Sequence, residues 1–441
     1  MKKILSKILS IMLVLVMISG IYSFPVSAKE TVTNQFRLNV YQNAQYTAEA
    51  VEKGDQLELQ TLSDEIIDFV SQVFISENIN VDVRNNIRFL DILKCYNDTD
   101  IMQLNTSDAT EIKEELNAGN YSYYIYADVE GYKVEITLSK GLPVSDECRT
   151  VLTKEQLQAL ENNVGKWYVS SAGVIKSENI CLDEVITEYN GVYDDLLLVS
   201  SQTGFDYPVF VGIQNDEATD VIPIYEKQAY EISDILDEDD GIYSFSKATS
   251  VVLSEQYIAE NNTLNYENDI LSEGTAVPMA TGYVRQLSVI RHKQEKSYWC
   301  WAASAQMVGH YITKSAKTQS AIVKNVKGSV VNDGASDSEL KKAVQYAVGS
   351  KYTVSTNNIV PLVTFVNYIY SRKHPAVMKV LWTNNKAHAV VIAGVNSNNN
   401  TLYVIDPWES VTNRWMNYNS MCNGTTFGSG TGRYIKVFFV N

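Results

Sequence analysis

The chain has 441 residues, 45% of them hydrophobic and 20% charged, and carries a net charge of −16. That composition excludes an intrinsically disordered chain, and the length has room for two or three domains of ordinary size. The charge is divided: from Gly282 onward 18 Lys and Arg stand against 6 Asp and Glu, a balance of +12, while the remainder holds 18 basic and 46 acidic residues, a balance of −28. Opposite fields favour and orient association, so the halves can pack on each other; they equally suit two halves that are each merely soluble.

In chain order, Lys2, Lys3 and Lys7 precede the uncharged apolar stretch from Ile8 to Tyr22, and Val26-Ser27-Ala28 follows as a small-residue cleavage signal. Residues 1–28 are therefore expected to be a secretory signal peptide, with the fold starting near Lys29 in an extracellular bacterial protein. The apolar stretch is short for a bilayer span and no second one follows, so no stable membrane span is expected after processing. Residues 29–260 form an acidic region with helical spacing at Leu62–Phe74 and Lys154–Val164. Strand-like runs occur at Tyr121–Ala127, Tyr132–Leu138, Trp167–Ile175, Asp194–Ser200, Tyr207–Ile213 and Val221–Tyr225. The pattern is α+β. It contains no histidine and no metal-ligating constellation, so inhibition, folding assistance or binding suits it better than chemistry. Residues 261–281, polar and rich in turn formers, read as a linker to a domain at 282–441. Of the five cysteines, Cys95, Cys148, Cys181 and Cys422 show no framework spacing, so their oxidation state stays open and Cys300 is treated as the unpaired one.

The C-terminal domain carries the chemistry. Gln294-Glu295-Lys296-Ser297-Tyr298-Trp299-Cys300-Trp301-Ala302-Ala303 is followed far downstream by Lys386-Ala387-His388 with an apolar run to Val395, and by Leu402-Tyr403-Val404-Ile405-Asp406-Pro407. An alanine-rich helix is expected from Cys300 to about Tyr311, placing the thiol at a helix N-terminus, where the macrodipole and a nearby imidazolium favour the thiolate nucleophile. His388 begins a strand, and Asp406 ends the next one after a turn at Asn396–Asn400. A short hairpin would bring the carboxylate to the ring, to fix its tautomer and support its charge. The other three histidines fit less well: His310 lies about 15 Å down the helix from Cys300, and His292 and His374 are expected to be solvated in polar segments. The backbone N–H of Cys300 and the side-chain amide of Gln294 could together hold an oxyanion. Each residue alone also has a plain structural reading: a core thiol, a satisfied histidine, a turn carboxylate, a solvated glutamine.

The order Gln294, Cys300, His388, Asp406, with Trp301 directly after the thiol, resembles the papain-like cysteine peptidases. It is most similar to the shorter bacterial branch of staphopain-like secreted proteases and bacteriocin-leader-cleaving peptidase domains. The resemblance covers Gly282 to Asn441. It implies a helical lobe carrying Cys300 as nucleophile and a twisted antiparallel sheet lobe carrying His388 as base and then acid. Asp406 would be the orienter and Gln294 the oxyanion donor. It also implies peptide-bond hydrolysis through a thioester. Ser297 and Tyr298 replace the cysteine and glycine of the plant and lysosomal pattern, and Asp406 stands where those enzymes usually have asparagine. The 88 residues from Cys300 to His388 fall short of the roughly 130–150 of that pattern.

The leading expectation is a secreted cysteine protease made as a precursor, its acidic half an inhibitory pro-region. Its substrate would be a protein or peptide, with no cofactor, no metal and no nucleic acid. Alternatives are a cell-wall amidase or endopeptidase, a transglutaminase-like Cys-His enzyme, and a surface binding protein with an inert peptidase-like domain.

Overall fold

A computed structural model of the chain describes residues 55–97, 121–175, 188–189, 191–200, 209–215, 217–223, 229–231, 236–237, 242–243, 282–296, 298–382, 386–407, 413–427 and 429–441. The expected signal peptide, the linker at 261–281, Cys181 and Ser297 lie outside these residues. The elements are helices and strands in the α+β manner, and no helix among the described residues is long and apolar enough to cross a membrane.

The N-terminal region is a meander with helices on one face. Strands β1 (Ile87–Asn97), β2 (Tyr121–Val129), β3 (Tyr132–Lys140) and β4 (Trp167–Val174) pair antiparallel in that order. β5 (Asp195–Ser200) joins β1 in parallel, and β6 (Val209–Gln214), β7 (Glu217–Pro223) and β8 (Tyr230–Glu231) continue the sheet; β9 (Leu236–Asp237) and β10 (Ile242–Tyr243) pair only with each other. The helix Ser63–Ser76 buries Ile66, Ile67, Val70, Val73 and Phe74, the three- and four-residue spacing of one apolar stripe. Glu58 and Glu65 accept hydrogen bonds from the backbone N–H of Trp167 and Val169 at the outer edge of β4, at 2.8 and 2.9 Å, so that end of the edge is tied by side chains.

The C-terminal domain has two lobes. Helices Cys300–Thr313, Gln319–Lys327 and Asp337–Val348 make one. The other is a sheet of β12 (Val354–Asn358), β13 (Ala376–Trp382), β14 (Ala387–Asn396), β15 (Thr401–Ile405), β16 (Arg414–Asn417) and β18 (Gly430–Val440), with β11 (Val284–Gln286) on β14 and β17 (Thr425–Phe427) on β18. Gly394 permits the β11 contact: a Cβ there would sit 2.6 Å from the Tyr403 Cβ and 3.1 Å from the Arg285 carbonyl oxygen.

The sheet does not stop between the halves. β16 pairs with β15 on one side and with β4 on the other, Trp415 against Ala172 and Met416 against Ser171. The full order is β12-β18-β13-β14-β15-β16-β4-β3-β2-β1-β5-β6-β7-β8. A strand edge left open on either half would expose unpaired backbone N–H and C=O groups; here β16 covers the Ser171–Ala172 part of the β4 edge, and Glu58 and Glu65 take the N–H groups of Trp167 and Val169. One contiguous buried apolar cluster runs from Leu59 to Val440 through this joint. At its centre Arg414, 3% exposed, forms a short ion pair with Glu135, 2% exposed. Thr137 Oγ1 takes a second bond from the guanidinium at 3.4 Å and the Tyr124 ring lies 5.6 Å from it. Arg433 pairs with Glu147 at the surface of the joint, 3.0 Å apart. In both pairs the cation comes from the basic half and the anion from the acidic half.

The buried pair makes the joint testable. Arg414→Leu and Glu135→Leu each leave one buried charge unpaired and should cost about 3–5 kcal/mol, while the double variant should lose much less than the sum. Urea unfolding of the four proteins measures it, and additive losses would contradict the pairing.

Candidate active site

The helix that carries Cys300 is set by its two neighbours. Trp299 and Trp301 are almost fully buried, and their indole N–H groups donate to the carbonyls of Val331 and Asp333 at 2.8 and 3.0 Å. These two plugs hold the first turn against the loop at 331–333 and leave Cys300 between them half-buried; the other described cysteines, Cys95, Cys148 and Cys422, are buried. Trp299 is the N-cap residue and makes no side-chain capping bond, so the first-turn N–H groups around Cys300 gain no such acceptor. One turn in, Ser304 donates to the Ala389 carbonyl at 3.0 Å, which fixes the helix on β14 beside His388. Close approach of the helix Asp337–Val348 depends on Gly309, where a Cβ would meet the Ala347 Cβ at 2.7 Å.

On the sheet lobe, the β14–β15 register pairs Val391 with Ile405. Asp406 then falls opposite Val390 and diagonal to His388 on the same face, within reach of a hydrogen bond. His388 Nε2 lies 2.8 Å from Asp406 Oδ1, and both residues are 3% exposed. Cys300 is the second group that acts on the ring, its influence on the His388 proton adding to that of Asp406. Burial disfavours the charged ring, but the charges of Asp406 and Cys300 and their hydrogen bonds outweigh it, and the His388 pKa is pushed up to about 10.

Three neighbours absent from the sequence reading complete the pair. Trp382, at the end of β13, stacks on His388 with ring centres 5.3 Å apart and planes 20° apart, covering the ring and its bond to Asp406. Ser429 donates a short hydrogen bond to Asp406 Oδ2. Buried Arg291 donates to the Asp406 carbonyl oxygen at 2.6 Å. Trp382 could be found only by pairing β13 with β14, Val380 opposite His388, a partnership no local sequence signal carries. Ser429 lies in a Gly-Ser-Gly turn that reads as loop and nothing more.

Gln294 is brought to the same place by a different tie. Its backbone N–H donates to the Pro407 carbonyl at 2.9 Å, so its segment is fastened to the strand end that carries Asp406. It is buried, and its side-chain amide donates to Lys296 O at 3.1 Å; receiving an oxyanion would mean exchanging that bond. Two other histidines depart from the expectation of solvated rings. His292 Nε2 sits 2.9 Å from His310 Nδ1, and its pKa is lowered to about 4 by burial and by His310. His374 Nδ1 sits 2.9 Å from the Val440 carbonyl oxygen. Polar neighbours in sequence did not mean exposure, because both segments fold back onto packed elements.

Residues 283–422, about a third of the chain, match the family model described as papain-like cysteine protease AvrRpt2. No curated protein matches the chain. The C-terminal part is thus a papain-like cysteine peptidase domain, and the activity is that of a cysteine-type peptidase.

The raised His388 pKa fixes the sign of a pH effect. Stabilisation from the charged ring is present in full below about pH 6.5 and is lost as pH rises toward about 10. The stability gap between wild type and His388→Gln should therefore shrink over that window in urea titrations. Cys300→Ala removes one of the two partners that raise the His388 pKa and should lower the pH at which the ring titrates, followed by NMR of the imidazole; an unchanged titration would deny the interaction.

Proposed function

We propose that this papain-like domain belongs to an exported peptidase in which Cys300 is the nucleophile, His388 the general base and acid, Asp406 the orienter and Gln294 an oxyanion donor. One observation carries the reading: a half-buried thiol at a helix head acts on an imidazole that is itself bonded to a buried carboxylate, with 2.8 Å between His388 Nε2 and Asp406 Oδ1. The thiolate attacks the carbonyl carbon of a peptide bond. Negative charge then develops on the carbonyl oxygen, where the Cys300 N–H and the Gln294 amide can receive it. As the C–N bond breaks, His388 Nδ1 gives its proton to the leaving amine, and a thioester to Cys300 remains. Water, deprotonated by the now neutral ring, attacks the thioester and releases the carboxylic acid. Asp406 holds the ring in the tautomer and orientation that both steps require.

The same reading takes residues 1–28 as an export signal and the acidic N-terminal region as the pro-region of a precursor, processed between Asp269 and Arg285. It is supported by the basic, apolar and small-residue order of the first 28 residues and by the opposite charge of the two halves.

In a peptide-cleavage assay Cys300→Ala should be inactive and His388→Ala nearly so, with Asp406→Ala losing less than either. Gln294→Ala should lower kcat by roughly 10- to 1000-fold, whereas Gln286→Ala should be close to silent. Labelling of Cys300 by an epoxide inhibitor reports the reactive thiol directly. Cleavage by Cys300→Ala at the wild-type rate would end the assignment.

A further inference from the structure

The charge division alone casts the N-terminal region as a cover for the cleft. Its contacts suggest another action, through a three-residue strand. Asn423 donates to the carbonyls of Leu142 and Pro143 at 3.0 and 3.2 Å and accepts from the Ser145 N–H at 2.8 Å. Tyr168 donates to Thr425 Oγ1 at 3.2 Å, that hydroxyl donates to Ser139 at 3.5 Å, and Asn97 donates to Thr426 Oγ1 at 3.4 Å. All of these partners are buried, apart from the half-buried Leu142 and Ser145 and the exposed Pro143. The strand so held is β17, whose own ladder is only Thr425–Gly432, Thr426–Thr431 and Phe427–Gly430.

The far end of β17 reaches the catalytic pair. Phe427 meets the Trp382 ring edge-to-face at 5.7 Å, and Trp382 is the ring stacked on His388. Two residues further, Ser429 holds Asp406 Oδ2. A three-residue strand with one ladder partner is marginal by itself in water. Its threonine hydroxyls are satisfied by the N-terminal region, and its apolar end and following turn hold Trp382 and Asp406.

We propose that the N-terminal region is a positioning element of the active site. By anchoring β17 it fixes Phe427 and Ser429, and through them the geometry and dryness of the His388–Asp406 pair. It therefore stays bound to the peptidase domain after processing between Asp269 and Arg285. The proposal rests on the peptidase reading above and specifies how the pro-region acts on that site.

The test uses the full chain. Tyr168→Phe combined with Asn97→Ala, and separately Thr425→Val, should lower kcat about 3- to 30-fold, the equivalent of one or two lost hydrogen bonds. KM should change little and the alkaline limb of the rate profile should shift, because the His388 environment is altered. Thr425→Ser keeps the hydroxyl and should stay near wild type. Thermal unfolding of each variant separates a misfolded protein from a mispositioned site, and Thr425→Ser against Thr425→Val decides if the double variant fails to fold. Chain cut at a protease site introduced between Asp269 and Arg285 should elute as one complex in gel filtration at high salt. Higher activity in the variants, unchanged kcat and pH profile, or separation of the cut halves with activity retained would overturn the proposal. An inactive wild type that epoxide does not label would instead sink the peptidase assignment.

Discussion

A charged imidazole in a place that water barely reaches is the constraint around which the rest of the site is arranged. Burial alone would strip the proton from His388, and the interactions with Asp406 and Cys300 reverse that preference. Those partners come from different lobes: Cys300 from the head of a helix, Asp406 from the end of β15. Each is held by groups that do no chemistry. Two indoles and a serine place the helix, and an arginine, a serine and the Pro407 carbonyl secure the strand end and the segment leading to Gln294. Such preorganisation means that little has to move when charge shifts during reaction.

The second organising feature is a sheet shared by two regions of opposite charge. Closing β4 against β16 covers part of the β4 edge and places a buried Arg414–Glu135 pair where they meet. A buried ion pair is weak evidence for stability, since desolvation offsets most of the attraction. Its value here is in register: Arg414 reaches Glu135 and Thr137 together, and a slip of one residue would turn the guanidinium to the other face of the sheet.

Much of this was legible in the sequence. The helix at Leu62–Phe74, the strands from Tyr121 to Leu138 and the helix from Cys300 were readable because each has an unbroken apolar period or alanine-rich composition; they occur as Ser63–Ser76, Tyr121–Lys140 with a turn at Glu130-Gly131, and Cys300–Thr313. The hairpin carrying His388 and Asp406 was readable because its two strands are neighbours in sequence. What could not be read depends on distant pairing. β16 is four residues with charge at one end, unremarkable until it meets β4. Trp382 and Ser429 gain their meaning from strands that lie beside His388 and Asp406 in space alone. The error over His292 and His374 has the same origin, because local polarity says nothing about what packs above a segment.

The joint between β4 and β16 also bears on the order in which the molecule is made. Ala172 and Trp415, which face each other across it, are 243 residues apart in the chain. The meander β1–β4 is complete long before its partner strand exists, so the nascent protein carries an open edge at β4 for most of its synthesis. An edge of that kind invites pairing with any passing strand, in the same chain or another. It is equally a ready template: the peptidase sheet, when it arrives, has a formed strand on which to align Trp415 and Met416. The acidic region would thus act as an assembly jig for the enzyme that follows it, whatever becomes of the covalent connection between them.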